Sequence, residues 1–494
     1  MSASSTVSTP VSLPAEALRA FEAVLGRDGL IVEDSQLRTY ECDGLPAIRE
    51  VPSAVLLPTD TAQAQAIVRI CAKHNIPFVP RGAGTGLSGG AMPMSGGVVI
   101  TSTRMNRIVS VDFENQRMVA QPGVINNHLT DRVSPKGYFY APDPSSQSVC
   151  TIGGNVAENA GGAHCLKYGF TTTHVLGLEV VLSTGELVHL GASCLDAPGY
   201  DLTGVFVGSE GTLGVVTEVT LRIVKRPETV QVLLAAFDTI AGAAQTVSDI
   251  IAAAILPAAM EIMDRLSVVS AEAAVHPNYP QCEALLLIEL DGPAEEVHLQ
   301  MEQVRECCRR NGSWEDRLAQ TAKERMLVWK GRKAAFAAAG RLAPNYIVQD
   351  GVIPRTKLPQ VLESIRRMSD AANLRVTNVF HAGDGNLHPI VLYDASHPGE
   401  EERATDLSLR ILELCVDLGG SITGEHGVGR EKQCSMGYMY AEPDLATMER
   451  VRTAFDPQNL SNPDKLFPRP RLCGEKTGSY TPHPLEIAGV AEFF

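Results

Sequence analysis

Clustered cysteines are missing from this sequence. Its 11 cysteines include no CxxC pair and follow no regular spacing. That argues against an iron–sulfur cluster and against a disulfide scaffold, and leaves reduced thiols in a cytosolic protein as the reading. A basic excess is missing too. Lys and Arg number 42 against 57 Asp and Glu, a net charge of −15. Nucleic acid and anionic lipid are therefore poor partners, although a local basic pocket for a small anion is not excluded. No run of ~18 uninterrupted apolar residues occurs; the best, near residues 250–259, is short and contains Pro257. Residues 1–14, MSASSTVSTPVSLP, offer neither a basic nor an apolar segment, and the first basic residue is Arg19. They read as a disordered tail, with no secretory signal or Arg-rich transit peptide expected. A fixed-period repeat is also absent.

What is present is ordinary globular composition, 44% hydrophobic and 20% charged over 494 residues, enough for about three folding units. AVLL at 54–57 predicts a buried strand, residues 61–74 a helix and 76–79 a second strand. This is the strand–helix–strand unit of an α/β or α+β sheet. Further strands are expected at 98–101 and 117–121, and in HVLGLEVVLSTGELVHL and GTLGVVTEVTLRIV. The pattern changes after Lys225, Arg226 and Pro227. Strand-like VQVLLAAF, a helix at 242–254, strand-like AMEIM, a strand at 283–290 and a helix at 295–310 then suggest a ferredoxin-like module. A helix is expected from 315 to 340, and a strand, LRVTNVF, leads into a Gly/His-rich loop.

Three glycine-rich segments carry one kind of chemistry. In PRGAGTGLSGG, residues 80–90, Gly82, Gly84 and Gly86 free the backbone N–H groups to face an anion. A Rossmann dinucleotide site would need a helix directly afterwards, and LSGGAMPMSGG cannot start one. TIGGNVAENAGGAHCLKYG, residues 151–169, sets glycines beside Asn155 and Asn159, which suits close approach to a flat heterocycle and its phosphates. GSEGTLGVVTEVTLR, residues 208–222, turns on glycine into a strand. Each alone could be turn chemistry; together they favour a large, extended cofactor.

A second kind of chemistry lies further on. HAGDGNLHP and TGEHGVGREK supply His381, His388, Glu425 and His426, donors suited to a first-row divalent metal. Glu425 and His426 are adjacent and need not share a role. WKGRKAAF, residues 329–336, carries Arg332 and Lys333, which would either line a solvated helix face or present a carboxylate-binding cation.

These segments, with APDPSSQSVC before the second and NVF before the fourth, resemble the FAD-linked 2-hydroxyacid dehydrogenases of the vanillyl-alcohol-oxidase-type flavoprotein superfamily. The resemblance is strongest to its branch of bacterial glycolate oxidase FAD-linked subunits, and D-lactate and D-2-hydroxyglutarate dehydrogenases look more distant. It spans residues 35–470. It implies an α+β architecture: a two-subdomain FAD-binding domain of the PCMH/VAO type at 15–227 and a ferredoxin-like cap or substrate domain at 228–420. A C-terminal segment at 421–470 would return to the flavin and complete the active site, with a tail at 471–494. By similarity, Arg81, Gly82, Ala83, Gly84, Thr85, Gly86, Leu87, Ser88 and Gly89 would wrap the FAD pyrophosphate. Pro142, Asp143, Ser145, Thr151, Gly153, Gly154, Asn155 and Gly161 would continue the site. Glu210, Gly211 and Val216 would approach the adenine half or the chain around it, and Asn462 the flavin. The glycine loop holds no histidine, so non-covalent FAD is expected.

The resemblance further implies that His381, His388 and Glu425 ligate Zn, Mn or Fe, that His426 is the base, and that Arg332 and Asn386 touch substrate. The 2-hydroxyglutarate enzymes grip a distal acid with Thr and Lys; here Phe336 and Val348 stand in those places, which points to glycolate or D-lactate. Electrons would pass to a second flavoprotein-like subunit and an iron–sulfur subunit, feeding quinone, rather than to NAD. The chain would then be cytoplasmic, or peripheral at the inner face of the cytoplasmic membrane through those subunits. The alternative within the family is a D-lactate dehydrogenase acting alone with a cytochrome or quinone acceptor. Outside it stand a metal-dependent hydrolase, which has no use for the glycine segments, and a non-catalytic flavin-fold subunit, which would lack the His and carboxylate set.

Overall fold

The computed structural model describes residues 11–192 and 198–468. The tail expected at 471–494 and most of that at 1–14 lie outside the described residues. Leu13, inside the latter span, is buried in a core with Phe21 and Ile67.

The first sheet has the spatial order Leu30–Ile31, Ala54–Leu56, Val98–Thr101, Phe78–Arg81. Its last three strands run parallel. The helix Thr61–His74 covers it because Ala64, Ile67, Val68 and Cys71 form one apolar stripe at helical spacing. Asp60 caps its start by accepting from Gln63 N, and Asn75 ends it in the left-handed conformation. The second sheet is antiparallel, in the order Ile108–Asp112, Arg117–Ala120, Val215–Arg222, Val175–Val181, Leu187–Gly191. Alternate residues of Val215–Arg222 are buried, so the strand lays one face on a core with Met118 and Val156.

The third sheet begins Ser313–Leu318, Thr229–Phe237, Ala284–Gly292, Ala259–Asp264. In chain order that is 4-1-3-2, the antiparallel ferredoxin-like arrangement, and Arg375–His381 adds itself beside Ala259–Asp264. Two elements differ from expectation. Ser313–Leu318 is an edge strand and not the start of a helix; the helix is Ala322–Ala338, opened by a capping box between Thr321 and Glu324. A further helix, Arg265–Val275, lies between the second and third strands of the module.

The end of the described chain returns to the first sheet. Phe78 N donates to Leu460 O at 2.8 Å and Asn462 N to Phe78 O at 2.7 Å. Among the described residues, eight cysteines are free thiols; Cys434 is disulfide-bonded, which corrects the reading of uniformly reduced thiols. No helix among the described residues is long and apolar enough to cross a membrane.

Candidate active site

One cavity of about 940 Å³ runs between the two smaller sheets and the third. Of the residues expected to hold a cofactor, Arg81 to Leu87, Ser145, Thr151, Gly153, Gly154, Asn155, Gly161, Glu210, Gly211 and Val216 line it. The loop after Phe78–Arg81 stays irregular, as its composition requires. Among the described residues, no partner within the chain takes up the backbone N–H groups of residues 83–89. Arg81 ties the end of that loop to the segment between Leu30–Ile31 and Ala54–Leu56: Nη2 donates to Cys42 O at 2.8 Å and Nη1 to Ala91 O at 3.1 Å. Gly84 has φ +69, and a Cβ there would lie 2.2 Å from Arg81 Nη2, so both conformation and space require glycine. Thr151 caps the short helix Ile152–Glu158 by accepting from Gly154 N, and Asn155 Oδ1 accepts from Asn126 at 3.0 Å.

Five expected cofactor residues stand away from the lining and do other work. Ser88 accepts from Arg430 N and Glu431 N, and Gly89 packs on Arg430. The Pro142 carbonyl accepts from Asn126. Asp143 pairs with His164 at 2.9 Å. Asn462, wholly buried, donates to Gly90 O at 2.8 Å and Glu210 O at 2.6 Å. It ties the returning chain to two cavity-lining loops without lining the cavity itself.

Glu425 and His426 also line the cavity. Behind them His381, His388 and Glu425 come together, with one donor atom from each within 4.8 Å of the others. The Nε2 atoms of His381 and His388 both lie 3.2 Å from Glu425 Oε1. The register of Arg375–His381 and the tight turn to Asn386–Leu387 bring the two imidazoles to one place. Among the described residues, neither ring nitrogen of His388 and neither side-chain polar atom of Asn386 makes a hydrogen bond, though all four are buried; their chemistry fits a metal or a polar substrate.

His426 stacks on His388. Burial, with His388 and Lys432 nearby, pushes its pKa down to about 4 against the opposing pull of Asp350 and Glu425, so the ring is a neutral acceptor near pH 7. Burial opposes charge on His381 as well, but Glu261 and Glu425 outweigh it and hold its pKa well above the ordinary value. Burial likewise raises Glu210 to about 7 despite the N–H groups of Val428 and Gly429 that its carboxylate accepts.

Two acids escaped the sequence reading. Asp350 accepts from the backbone N–H groups of Gly424, Glu425 and His426 and from Thr423 Oγ1. It folds the TGEHG loop around one carboxylate. Glu261 accepts from His381 Nδ1 at 2.7 Å and from Arg332 Nε at 2.7 Å. Arg332 therefore lies on a buried ion pair rather than on a solvated face. The one available signal was a lone acid in each apolar strand context, AMEIM and YIVQD. Lys333, Phe336 and Val348 line the cavity beyond.

Comparison with known proteins agrees with this geometry. Residues 52–191 match the family model described as FAD binding domain, and 226–466 that described as FAD linked oxidases, C-terminal domain. The chain is 48% identical over 451 residues to the glycolate oxidase subunit GlcD of Escherichia coli K12, covering 91% of this chain and 90% of that one. Identity to the glycolate oxidase subunit GlcD of Bacillus subtilis 168 is 41%, covering 88% and 94%. Identity to a D-lactate dehydrogenase of Anaerostipes hadrus is 34%, covering 84% and 89%. The fold superimposes on p-cresol methylhydroxylase with substrate bound at a TM-score of 0.76 and 18% identity, covering 91% of this chain and 96% of that one. The chain belongs to the FAD-linked 2-hydroxyacid dehydrogenases of the vanillyl-alcohol-oxidase type.

Proposed function

We propose that the chain oxidises a small 2-hydroxy acid, glycolate first and D-lactate second, to the 2-oxo acid. One observation carries this: a single cavity is lined at once by the glycine loops of the FAD-binding half and by Glu425 and His426 of the returning segment. Residues 83–89, with their unspent N–H groups, fit a pyrophosphate. FAD, when bound, supplies the two-electron acceptor that takes the hydride. His381, His388 and Glu425 fit a divalent ion by donor type and spacing. Such an ion supplies Lewis-acid polarisation of the substrate hydroxyl.

The chain's own residues do the rest. His426, neutral near pH 7, takes the hydroxyl proton on a ring nitrogen. Arg332 pairs with the substrate carboxylate, and Asn386 offers its unpaired amide to the same molecule. Phe336 and Val348 present apolar surface to the cavity, which disfavours a second carboxylate and so a dicarboxylate substrate. The relatives named glycolate oxidase subunits support a multi-subunit enzyme; in this reading electrons pass to companion subunits, one flavoprotein-like and one with an iron–sulfur cluster, rather than to NAD. In this reading the chain works in the cytoplasm and meets the membrane through those partners. The relative named D-lactate dehydrogenase keeps a second reading, independent turnover of D-lactate with a cytochrome or quinone acceptor.

The test is an anaerobic visible spectrum of the purified protein before and after glycolate, with D-lactate alongside. A yellow protein that bleaches is the expected result, and the faster substrate names the preference. A protein that stays colourless after FAD is supplied, or yellow with both acids, overturns the proposal.

A further inference from the structure

Strands Ala259–Asp264 and Arg375–His381 pair antiparallel with Glu261 directly opposite His381. Directly opposed residues share a sheet face, so their side chains meet. Glu261 is fully buried in a strand whose other buried members are Ala, Met and Ile. Its two oxygens are divided between two partners. Oε1 lies 2.7 Å from His381 Nδ1. Oε2 lies 2.7 Å from Arg332 Nε and 2.6 Å from Arg332 Nη2. A carboxylate is needed for this, because both partners donate and an ionised carboxylate accepts on both oxygens.

We propose that Glu261 is a positioning residue that serves the metal ligand and the substrate-binding arginine at once. On the histidine side it fixes the tautomer. His381 Nδ1 donates to Glu261, which turns Nε2 toward Glu425 Oε1, 3.2 Å away, and toward His388; a divalent ion held there would take the place of the Nε2 proton. On the arginine side it fixes the plane. The Nε and Nη2 edge of Arg332 is held by Glu261, and its Cζ sits 5.7 Å from the Phe336 ring centroid. Nη2 is in ion contact but makes no hydrogen bond among the described residues, so the outer amino groups of the guanidinium remain to meet an incoming carboxylate. One side chain thus ties the group that would grip the acid to the group that would help bind the metal. This inference rests on the reading of His381 as a ligand and Arg332 as the carboxylate contact.

Glu261→Gln separates the two duties, because the amide keeps one acceptor and turns its other end into a donor. It faces Arg332 donor to donor, or it forces the His381 proton onto Nε2 and blocks the lone pair. Glu261→Asp keeps both acceptors on a shorter stem. Three quantities are read on the FAD-loaded proteins: FAD content, Zn²⁺ affinity by competition with a chromophoric chelator, and oxalate affinity from the flavin difference spectrum. The expected result for E261Q is unchanged FAD content, Zn²⁺ affinity lowered about ten- to a hundredfold and oxalate affinity also lowered, with partial recovery in E261D. FAD-loaded E261Q binding both probes as wild type does would overturn the inference alone. Where E261Q does not fold, unchanged binding of both probes by FAD-loaded Glu261→Met, which fits the apolar strand and offers no acceptor, overturns it equally. A wild-type protein that binds no Zn²⁺ overturns the parent reading and this inference with it.

Discussion

The ring of His426 lies nearly parallel to that of His388, with centroids 5.0 Å apart and planes 13° apart. The backbone N–H of His426 donates to Asp350 at 2.9 Å. Stacking and this anchor hold the imidazole at the cavity wall in the neutral form set by its burial. His426→Ala should keep its FAD and its colour, while anaerobic flavin reduction by glycolate slows by about 10²–10⁴-fold. Stopped-flow absorbance reads it, and near-normal reduction would remove His426 from the role of base.

The donors behind His426 make a separate prediction. His381, His388 and Glu425 leave one small space bounded by three ligand atoms. Dialysis against 1,10-phenanthroline should leave the visible flavin band in place and slow its reduction by glycolate on the order of a hundredfold, the scale of several kcal/mol of lost charge stabilisation. Added Zn²⁺, Mn²⁺ or Fe²⁺ should restore the rate, and the ion that does so identifies the metal. Full activity in the stripped protein would count against metal assistance.

Local pattern explains what the sequence made legible. The helix Thr61–His74 and the strand Val98–Thr101 fall where their periodicity puts them, because each carries its own stripe or run of apolar residues. The strand Ser313–Leu318 was not legible. SWEDRL lies at a sheet edge, paired on one side only, and lacks clean alternation. The glycine loops and the His and Glu set were readable because their chemistry is packed into short segments. Glu261 was not, since its meaning comes from Arg332, 71 positions away, and His381, 120 positions away. Asp350 likewise gains its role only when residues 423–426 fold over it.

Size selection should reside in Phe336 and Val348, which both line the cavity. Phe336 stands edge-on to His388 with centroids 5.4 Å apart, so it limits the room beside that imidazole. Phe336→Thr with Val348→Lys replaces apolar wall with a hydroxyl and an ammonium. Turnover of 2-hydroxyglutarate should rise on the order of tenfold or more, the worth of one charge-assisted hydrogen bond at about 1.5–3 kcal/mol, and that of glycolate should fall. Steady-state kcat/KM for the two acids decides it; an unchanged ratio would place specificity elsewhere.

Asn462 joins three distant segments through two buried carbonyls, Gly90 O and Glu210 O. Asn462→Ala leaves both acceptors without their donor, at a cost of about 1–3 kcal/mol for each. Because Gly90 ends the glycine loop and Glu210 lines the cavity, the loss should appear as weaker FAD retention as well as lower stability. Equilibrium FAD release and thermal unfolding, measured on the same preparation, should both shift. A shift in stability with unchanged FAD affinity would mean that the tie serves folding alone.

His164 bridges the FAD-binding half and the third sheet, with Nδ1 2.9 Å from Asp143 and Nε2 3.0 Å from Glu289. Trp329 Nε1 also donates to Glu289, and Lys167 and Tyr168 hold Asp291 beside it. Burial opposes a charge on His164, but Asp143 and Glu289 outweigh it and hold its pKa well above the ordinary value. A histidine whose pKa is raised on folding adds stability below its unfolded pKa, about 6.5. It loses that stability as pH rises through the folded value. Wild type should therefore be favoured over His164→Ala most strongly near pH 6, with the gap in melting temperature narrowing as pH rises into the alkaline range. Melting curves of both proteins across that range supply the measurement. A gap that stays constant with pH would mean that His164 acts by packing against Trp329, 5.5 Å away, and not by its charge.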